Sequence, residues 1–503
     1  MQVFILFDTI VPILIICRHD SMSFIRKKKN KSGKLYAYEI TATWDPIKKQ
    51  SRSRGKYLGV VDDLGEIIPK GTNPRVAIVK PIENEKLIQD FGNGYLAAES
   101  IKKSAIYQPL QEVINAYPEL ISLMAYRLCN PSSMYNCDTW LNGNVLSTLN
   151  PGNSLSSQNI SRILEVLGQE SLQRDFFVKY LNQEKAGEKN IIIDATSLPN
   201  NISSDFNAWG YSDGGIEKQF RFHCVLDQDT QKPLFYRYCP GNIADVSTLE
   251  ATLAELKMLG LKNNFALLDA GYFSETNLST LYDQKIDFLI RMPSCRKIYK
   301  DIITKELQDL ESLQYATLYG RRSLFIKSIK TNLYGNEGYA YIILDPLKKA
   351  KDINKLVTEL SLPENLESRD ANQDSLTFAK AGIFMLVSSK PIPTNEVMKA
   401  YYMRQSVEQV FGFAKSDLDL LPLRCHKDQT VRGYLFLTFL LLIVFIEIRK
   451  SLSQDFTVEQ AMMITRQLKC KVFDNQIIVQ ELNKQQKKIF ALCNTIVPTS
   501  LGI

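Results

Sequence analysis

The stretch Ile191-Ile192-Ile193-Asp194-Ala195-Thr196-Ser197-Leu198 sets a carboxylate directly behind three β-branched apolar residues. Such a run reads as a strand of a sheet interior. An ionised acid is costly there unless it is paired or binds metal. The arrangement returns at Phe265-Ala266-Leu267-Leu268-Asp269-Ala270-Gly271, where the acid closes an apolar run and leads into a glycine turn. Ligands of α/β sheets commonly sit at strand ends of that kind. Either aspartate alone also fits a turn or capping residue. Two of them on neighbouring strands point instead to a metal site.

Working outward, QFRFHCVLD (219–227) and PLFYRYCPG (233–241) read as the next two strands, followed by a helix from Asp245 to Gly260. FALLDAGYF (265–273) is a fourth strand, SETNLSTLYDQ a helix and DFLIRMPS (287–294) a fifth strand. The order strand-strand-strand-helix-strand-helix-strand predicts an α/β fold with a mixed five-stranded sheet, that of an RNase H-like domain over 189–294. Residues 295–392 are rich in Tyr, Ile and turn signals and read as a mainly β insertion. One long helix over 393–418 completes the core, and 419–503 reads as a C-terminal helical region. On the other side, 111–188 is helical in pattern. Residues 22–110 form an N-terminal basic region whose first part, to 85, alternates apolar and polar residues like a small sheet. Residues 1–21 read as an upstream extension from a misplaced start, or else a leader, ahead of Met22-Ser23-Phe24-Ile25-Arg26.

The bulk composition narrows the chemistry. The 503 residues carry 61 Lys and Arg against 54 Asp and Glu, a formal charge of +7. That excess suits phosphate backbones without demanding them. The basic runs Arg26-Lys27-Lys28-Lys29 and Lys48-Lys49-Gln50-Ser51-Arg52-Ser53-Arg54 lie close together and strengthen the case for DNA contact over a merely solvated face. Nine cysteines occur without a Cys-x-x-Cys pair and there are three histidines, His19, His223 and His426, so neither a zinc finger nor a disulfide scaffold fits. A catalytic metal then falls to carboxylates, which favours Mg²⁺ or Mn²⁺. Reduced thiols imply a cytoplasmic setting. The apolar run Tyr434–Ile446 is short for a bilayer and reads as a buried helix, so no membrane is expected.

The third acid lies on the 393–418 helix. At about 100° per residue, Tyr401, Arg404, Glu408 and Lys415 fall within an arc of about 60°, beside an apolar sector of Val407, Val410, Phe411 and Ala414. Such a stripe is also what a solvated charged face looks like. The spacing Tyr401-(2)-Arg404-(3)-Glu408-(6)-Lys415, however, resembles the Tyr-Arg-Glu-Lys signature of the insertion-sequence-four family of DDE transposases. IIIDATSL and LLDAGYF are similar to that family's two acid motifs, and PGNIADVSTL (240–249) to the stretch before the second. The resemblance covers about 189–450.

It implies that Asp194, Asp269 and Glu408 are catalytic and hold two Mg²⁺ (or Mn²⁺) ions, with Asp194 bridging. It further implies that Tyr401, Arg404 and Lys415 bind DNA. The insertion would cover the active site and, in this family, helps to form or hold a DNA hairpin. The partners implied are double-stranded DNA, both terminal inverted repeats and target, and a second copy of the chain in a synaptic homodimer. Two other readings stand beside it: a catalytically silent DNA-binding descendant, and a nuclease of the same fold that cleaves without joining.

Overall fold

The computed structural model describes residues 15–18, 21–31, 33–45, 47–62, 65–70, 85–114, 118–130, 132–184, 188–204, 206–212, 215–361, 378–425 and 427–503. The rest of the expected extension, with His19, and also His426 lie outside them. Two compact units divide the chain, Met1–Asn84 and Glu85–Ile503.

The first unit is an antiparallel meander of β1 (Ile15–Arg18), β2 (Ser21–Lys29), β3 (Leu35–Asp45), β4 (Gln50–Val61) and β5 (Ile67–Pro69). Part of the expected extension is thus a strand, with Ile15–Arg18 paired to Ser21–Phe24. Alternating side chains in LYAYEITATWD suit a strand with two different faces. The β3–β4 turn is held by Asp45, whose Oδ1 accepts the N–H groups of Ile47 and Lys48 at 3.1 Å each.

The second unit opens with β6 (Leu87–Asp90). Seven α-helices follow among the described residues: α1 (Gly92–Lys103), α2 (Tyr107–Val113), α3 (Pro118–Cys129), α4 (Cys137–Asn142), α5 (Val145–Leu149), α6 (Ser157–Leu167) and α7 (Glu170–Gln183). The N-terminal region expected over 22–110 therefore divides near residue 84. Its last part joins the second unit, where β6 pairs with a strand from the far end of the chain, Lys469–Val472.

The five expected strands all form: β7 (Lys189–Pro199), β9 (Gly215–Asp227), β10 (Pro233–Pro240), β11 (Asn263–Leu268) and β12 (Asp287–Met292), with a short β8 (Ala208–Ser212) added to β9. Their order is β10-β9-β7-β11-β12, antiparallel from β10 to β7 and parallel from β7 to β12. The isoleucine run places β7 at the centre, with Ile191, Ile192 and Ile193 at most 1% exposed. The parallel steps are bridged by α8 (Leu249–Met258) and α9 (Glu275–Asp283), the crossover that parallel pairing requires. The helix expected from Asp245 begins only at Leu249, after a 3₁₀ turn over Asp245–Ser247. Asp245 does not cap it, because Arg221 holds its carboxylate.

The β-rich insertion differs from expectation. After α10 (Lys297–Glu306) come β13 (Ala316–Tyr319), β14 (Arg322–Leu333), β15 (Asn336–Leu344), α11 (Pro346–Leu360) and β16 (Ile383–Ser388). These strands make no separate subdomain. β16 pairs antiparallel with β12, Ile290 opposite Val387, so the same sheet runs on through β15 and β14 to β13. An apolar β12 edge would otherwise leave a row of backbone groups unpaired. GIFMLVSS supplies the matching strand, with Met385, Leu386 and Val387 fully buried.

The long helix expected over 393–418 is broken into α12 (Thr394–Tyr402), α13 (Gln405–Gly412) and a π turn over Phe413–Asp417. Behind it runs α14 (Asp428–Leu452), then α15 (Val458–Arg466), β17 (Lys469–Val472), β18 (Gln476–Val479), α16 (Lys484–Leu492) and β19 (Ser500–Gly502). The C-terminal region is thus helical and stranded together, β17–β19 forming a four-stranded sheet with β6. By length and composition α14 could cross a bilayer, but 89% of its most apolar window is buried inside the protein. Leu435, Phe436, Leu437, Phe439 and Leu440 are each wholly buried, at roughly 1.5–3 kcal/mol apiece. Phe436 and Phe439 pack on Phe177 of α7 and Tyr236 of β10, fastening the helical layer to the sheet.

Helices α6 and α14 touch backbone to backbone at Gly433, where an added Cβ would lie 1.9 Å from the Leu164 carbonyl oxygen. Gly433→Ala is expected to destabilise the second unit by about 2–3 kcal/mol or more. Gly412→Ala, with nothing within 4 Å of its Cβ, should be neutral or stabilise by about 0.5–1 kcal/mol. Denaturant midpoints check both; equal effects would contradict the crossing.

Candidate active site

Parallel pairing of β7 with β11 ends at Ile193 opposite Leu268. The next residue on each strand is an acid. Asp194 and Asp269 therefore stand side by side where the two strands begin to part. Asp194 is buried, and its Oδ1 accepts the N–H of Ala195 at 2.8 Å. Asp269 is half-buried and begins the 3₁₀ turn Ala270–Tyr272.

Both acids face the broken helix, and Arg404 sits at the break. Its own N–H reaches the Tyr401 carbonyl and its carbonyl accepts from Val407, tight turns that separate α12 from α13. The guanidinium enters the gap between the strands. Nη1 donates to Asp194 Oδ2 at 2.7 Å, Nε lies 3.7 Å from Asp269 Oδ1, and Nη2 lies 2.9 Å from Glu408 Oε1 one turn on. One cation thus touches three carboxylates that are far apart in sequence. The Tyr401 hydroxyl is 3.5 Å from Asp269 Oδ1, and its ring lies beneath the guanidinium at 5.8 Å. Glu408 is the most exposed of the acids, its side chain 54% accessible. Lys415, carried by the π turn, donates from Nζ to Thr196 Oγ1 at 2.7 Å. Asp194 and Thr196 share one face of β7, so all six sequence-predicted residues gather on that face. Arg404, expected to bind DNA, contacts the three carboxylates here.

Charge explains the arrangement. Burial pushes the Asp194 carboxyl up to about 6, Arg404 opposes the rise and Asp269 adds to it. Arg404 is desolvated, yet Asp269 and Asp194 hold it firmly charged. Three carboxyl groups thus share one guanidinium, with the Lys415 ammonium beside Thr196 on the same face. Among the described residues no three acid, histidine or cysteine side chains are close enough to enclose a metal ion. The donor set nevertheless fits hard divalent cations, since the three side chains of Asp194, Asp269 and Glu408 offer oxygens only. Fitting such a cation requires the guanidinium to leave.

Behind β7 lies a network that the sequence reading did not find. Arg221 binds Asp245 through Nε at 3.1 Å and donates from Nη1 to Ser197 Oγ at 2.9 Å. His223 Nδ1 lies 2.9 Å from the Tyr272 hydroxyl, and Asn277 Nδ2 donates to the carbonyls of Tyr272 and Val246 at 2.8 Å each. Burial pushes His223 down to about 4, so it is neutral at physiological pH. The network ties β9 and the 240–249 stretch to the turn that carries Asp269. The PGNIADVSTL motif was the available signal, but Asp245 read as a helix start. Beside the acids an open cavity of about 670 Å³ is lined by Arg291, Lys348, Lys351, Tyr401, Arg404 and the ion pair of Arg322 with Asp345. Among the described residues of the insertion, Arg322, Lys348 and Lys351 line this cavity.

A family model of the transposase DDE domain matches residues 185–444. The chain belongs to that family of DDE transposases. No curated protein matches it. Among solved structures it is similar to the piggyBac transposase synaptic complex with hairpin DNA, determined by cryo-electron microscopy, at 11% identity and a TM-score of 0.39 over 74% of this chain and 76% of that one.

A raised carboxyl pKa means that folding favours the protonated acid. Stability from this group is fully present below its ordinary value of 3.8 and is lost as pH rises through about 6, about 3 kcal/mol in all. Asp194→Asn, which mimics the protonated form, should therefore stabilise the metal-free chain above that window and not below it. Denaturation curves on both sides check this; a variant weaker than wild type at the higher pH would contradict it.

Proposed function

We propose that the chain is a cut-and-paste transposase of the insertion-sequence-four group that carries the Tyr-Arg-Glu-Lys signature. The convergence of Asp194, Asp269 and Glu408 on one guanidinium supports this reading most strongly. The strand order β10-β9-β7-β11-β12 fits an RNase H-like catalytic core, with 189–294 as its first part and 393–418 as its last.

In this reading Asp194, Asp269 and Glu408 hold two Mg²⁺ or Mn²⁺ ions, which when bound activate the attacking oxygen and stabilise the leaving oxygen of a phosphodiester. Arg404 guards the acids until then. Once displaced it turns to a DNA phosphate, for which its planar fork of donors is suited. Lys415 adds a second cation beside Thr196, and Tyr401, whose ring is buried, offers its hydroxyl to the scissile strand. The basic cavity next to the acids accepts the DNA that follows. The substrates are the element's terminal inverted repeats and a target duplex, brought together by a homodimer in a bacterial cytoplasm.

Full-length protein incubated with linear duplex bearing those repeats and Mn²⁺ should nick the ends. Asp194→Ala, Asp269→Ala and Glu408→Ala should each abolish nicking while leaving duplex binding largely intact. Full cleavage by any one of the three would sink the assignment. Binding without nicking by wild type would favour a silent descendant, and nicking without joining to target would favour a plain nuclease.

A further inference from the structure

The meander of the first unit has two chemically different faces. Strand register puts Phe24, Tyr36, Tyr38, Ile40, Trp44 and Tyr57 on one of them. There Tyr57 packs on both Tyr36 and Tyr38, with ring centroids 6.0 and 5.4 Å apart. The other face carries Thr41 opposite Arg54, Thr43 opposite Arg52 and Glu39 opposite Lys56. Ser23 adjoins Thr41 on the next strand. Arg52, Arg54 and Lys56 alternate along β4 and are all exposed. Arg52 has Asp45 at 3.6 Å, and Lys56 stands opposite Glu39. At the near end Lys27 Nζ donates to the Gly65 carbonyl at 2.7 Å, so that end is already in use.

Three long cations about 6.7 Å apart, with the hydroxyls of Thr41, Thr43 and Ser23 beside them, match the groups that contact phosphate and sugar without reading bases. We infer that the Arg52–Arg54–Lys56 face of this sheet binds the phosphate backbone of double-stranded DNA, independently of sequence. The aromatic face is left for packing. The inference rests on the reading of the chain as a protein that acts on DNA, but not on its catalytic residues.

Binding of the full chain to a short blunt duplex of arbitrary sequence, in EDTA, is measured as a function of salt. Each phosphate contact contributes about 0.9 to the slope of log affinity against log salt. The variant R52Q/R54Q/K56Q should therefore flatten that slope by about 2.7. Between 50 and 200 mM salt the wild type should lose about 40-fold more affinity than the variant. R26Q/K28Q, on the aromatic face, should keep the wild-type slope, and R52K/R54K should keep it too, which separates charge from folding. An unchanged slope in the triple variant, the larger loss in R26Q/K28Q, or no salt-dependent binding by wild type would overturn the inference. Because metal is absent, a chain that never cleaves DNA can still pass, so the two readings fail separately.

Discussion

A single guanidinium among three carboxylates governs this protein. A sheet interior disfavours ionised acids, and the effective cost of burying one is several kcal/mol. The fold nevertheless brings Asp194 and Asp269 together at the same level of adjacent parallel strands. Arg404 enters between them and offsets part of that cost. The compensation is partial, since the Asp194 carboxyl still rises to about 6.

The rest of the architecture serves that gap. The isoleucines of β7 fix it at the centre of the sheet, and the Arg221–Asp245 and His223–Tyr272 pairs brace it from behind. On the open side the helix breaks at Arg404, whose guanidinium enters the gap while Val407 and Val410 stay buried. The π turn then lets Lys415 reach Thr196. Helix α14 backs this layer and welds it to α7 and β10.

Much of this was legible in the sequence because it is local. Apolar runs ending in Asp marked β7 and β11, turn residues separated the five strands, and the spacing from Tyr401 to Lys415 picked out the third acid. What escaped was long-range. Arg404 and Asp194 are 210 residues apart, and no periodicity says that a cation on a helix will fill the space expected for a metal. The run 383–388 carries no mark telling a strand of a separate subdomain from one that extends the β12 edge. Asp245 obeys the statistics of a helix start, and only the fold shows that Arg221 claims it. A helix assumed to turn 100° per residue cannot foresee its own π turn.

The most direct test is anomalous scattering from crystals of the DNA complex grown with Mn²⁺. The expected map has manganese between Asp194 and Asp269, with Glu408 drawn in and Arg404 moved out toward a phosphate. Manganese bound elsewhere, with the Arg404 guanidinium still seated between the two aspartates, would contradict the exchange of cations on which the mechanism depends.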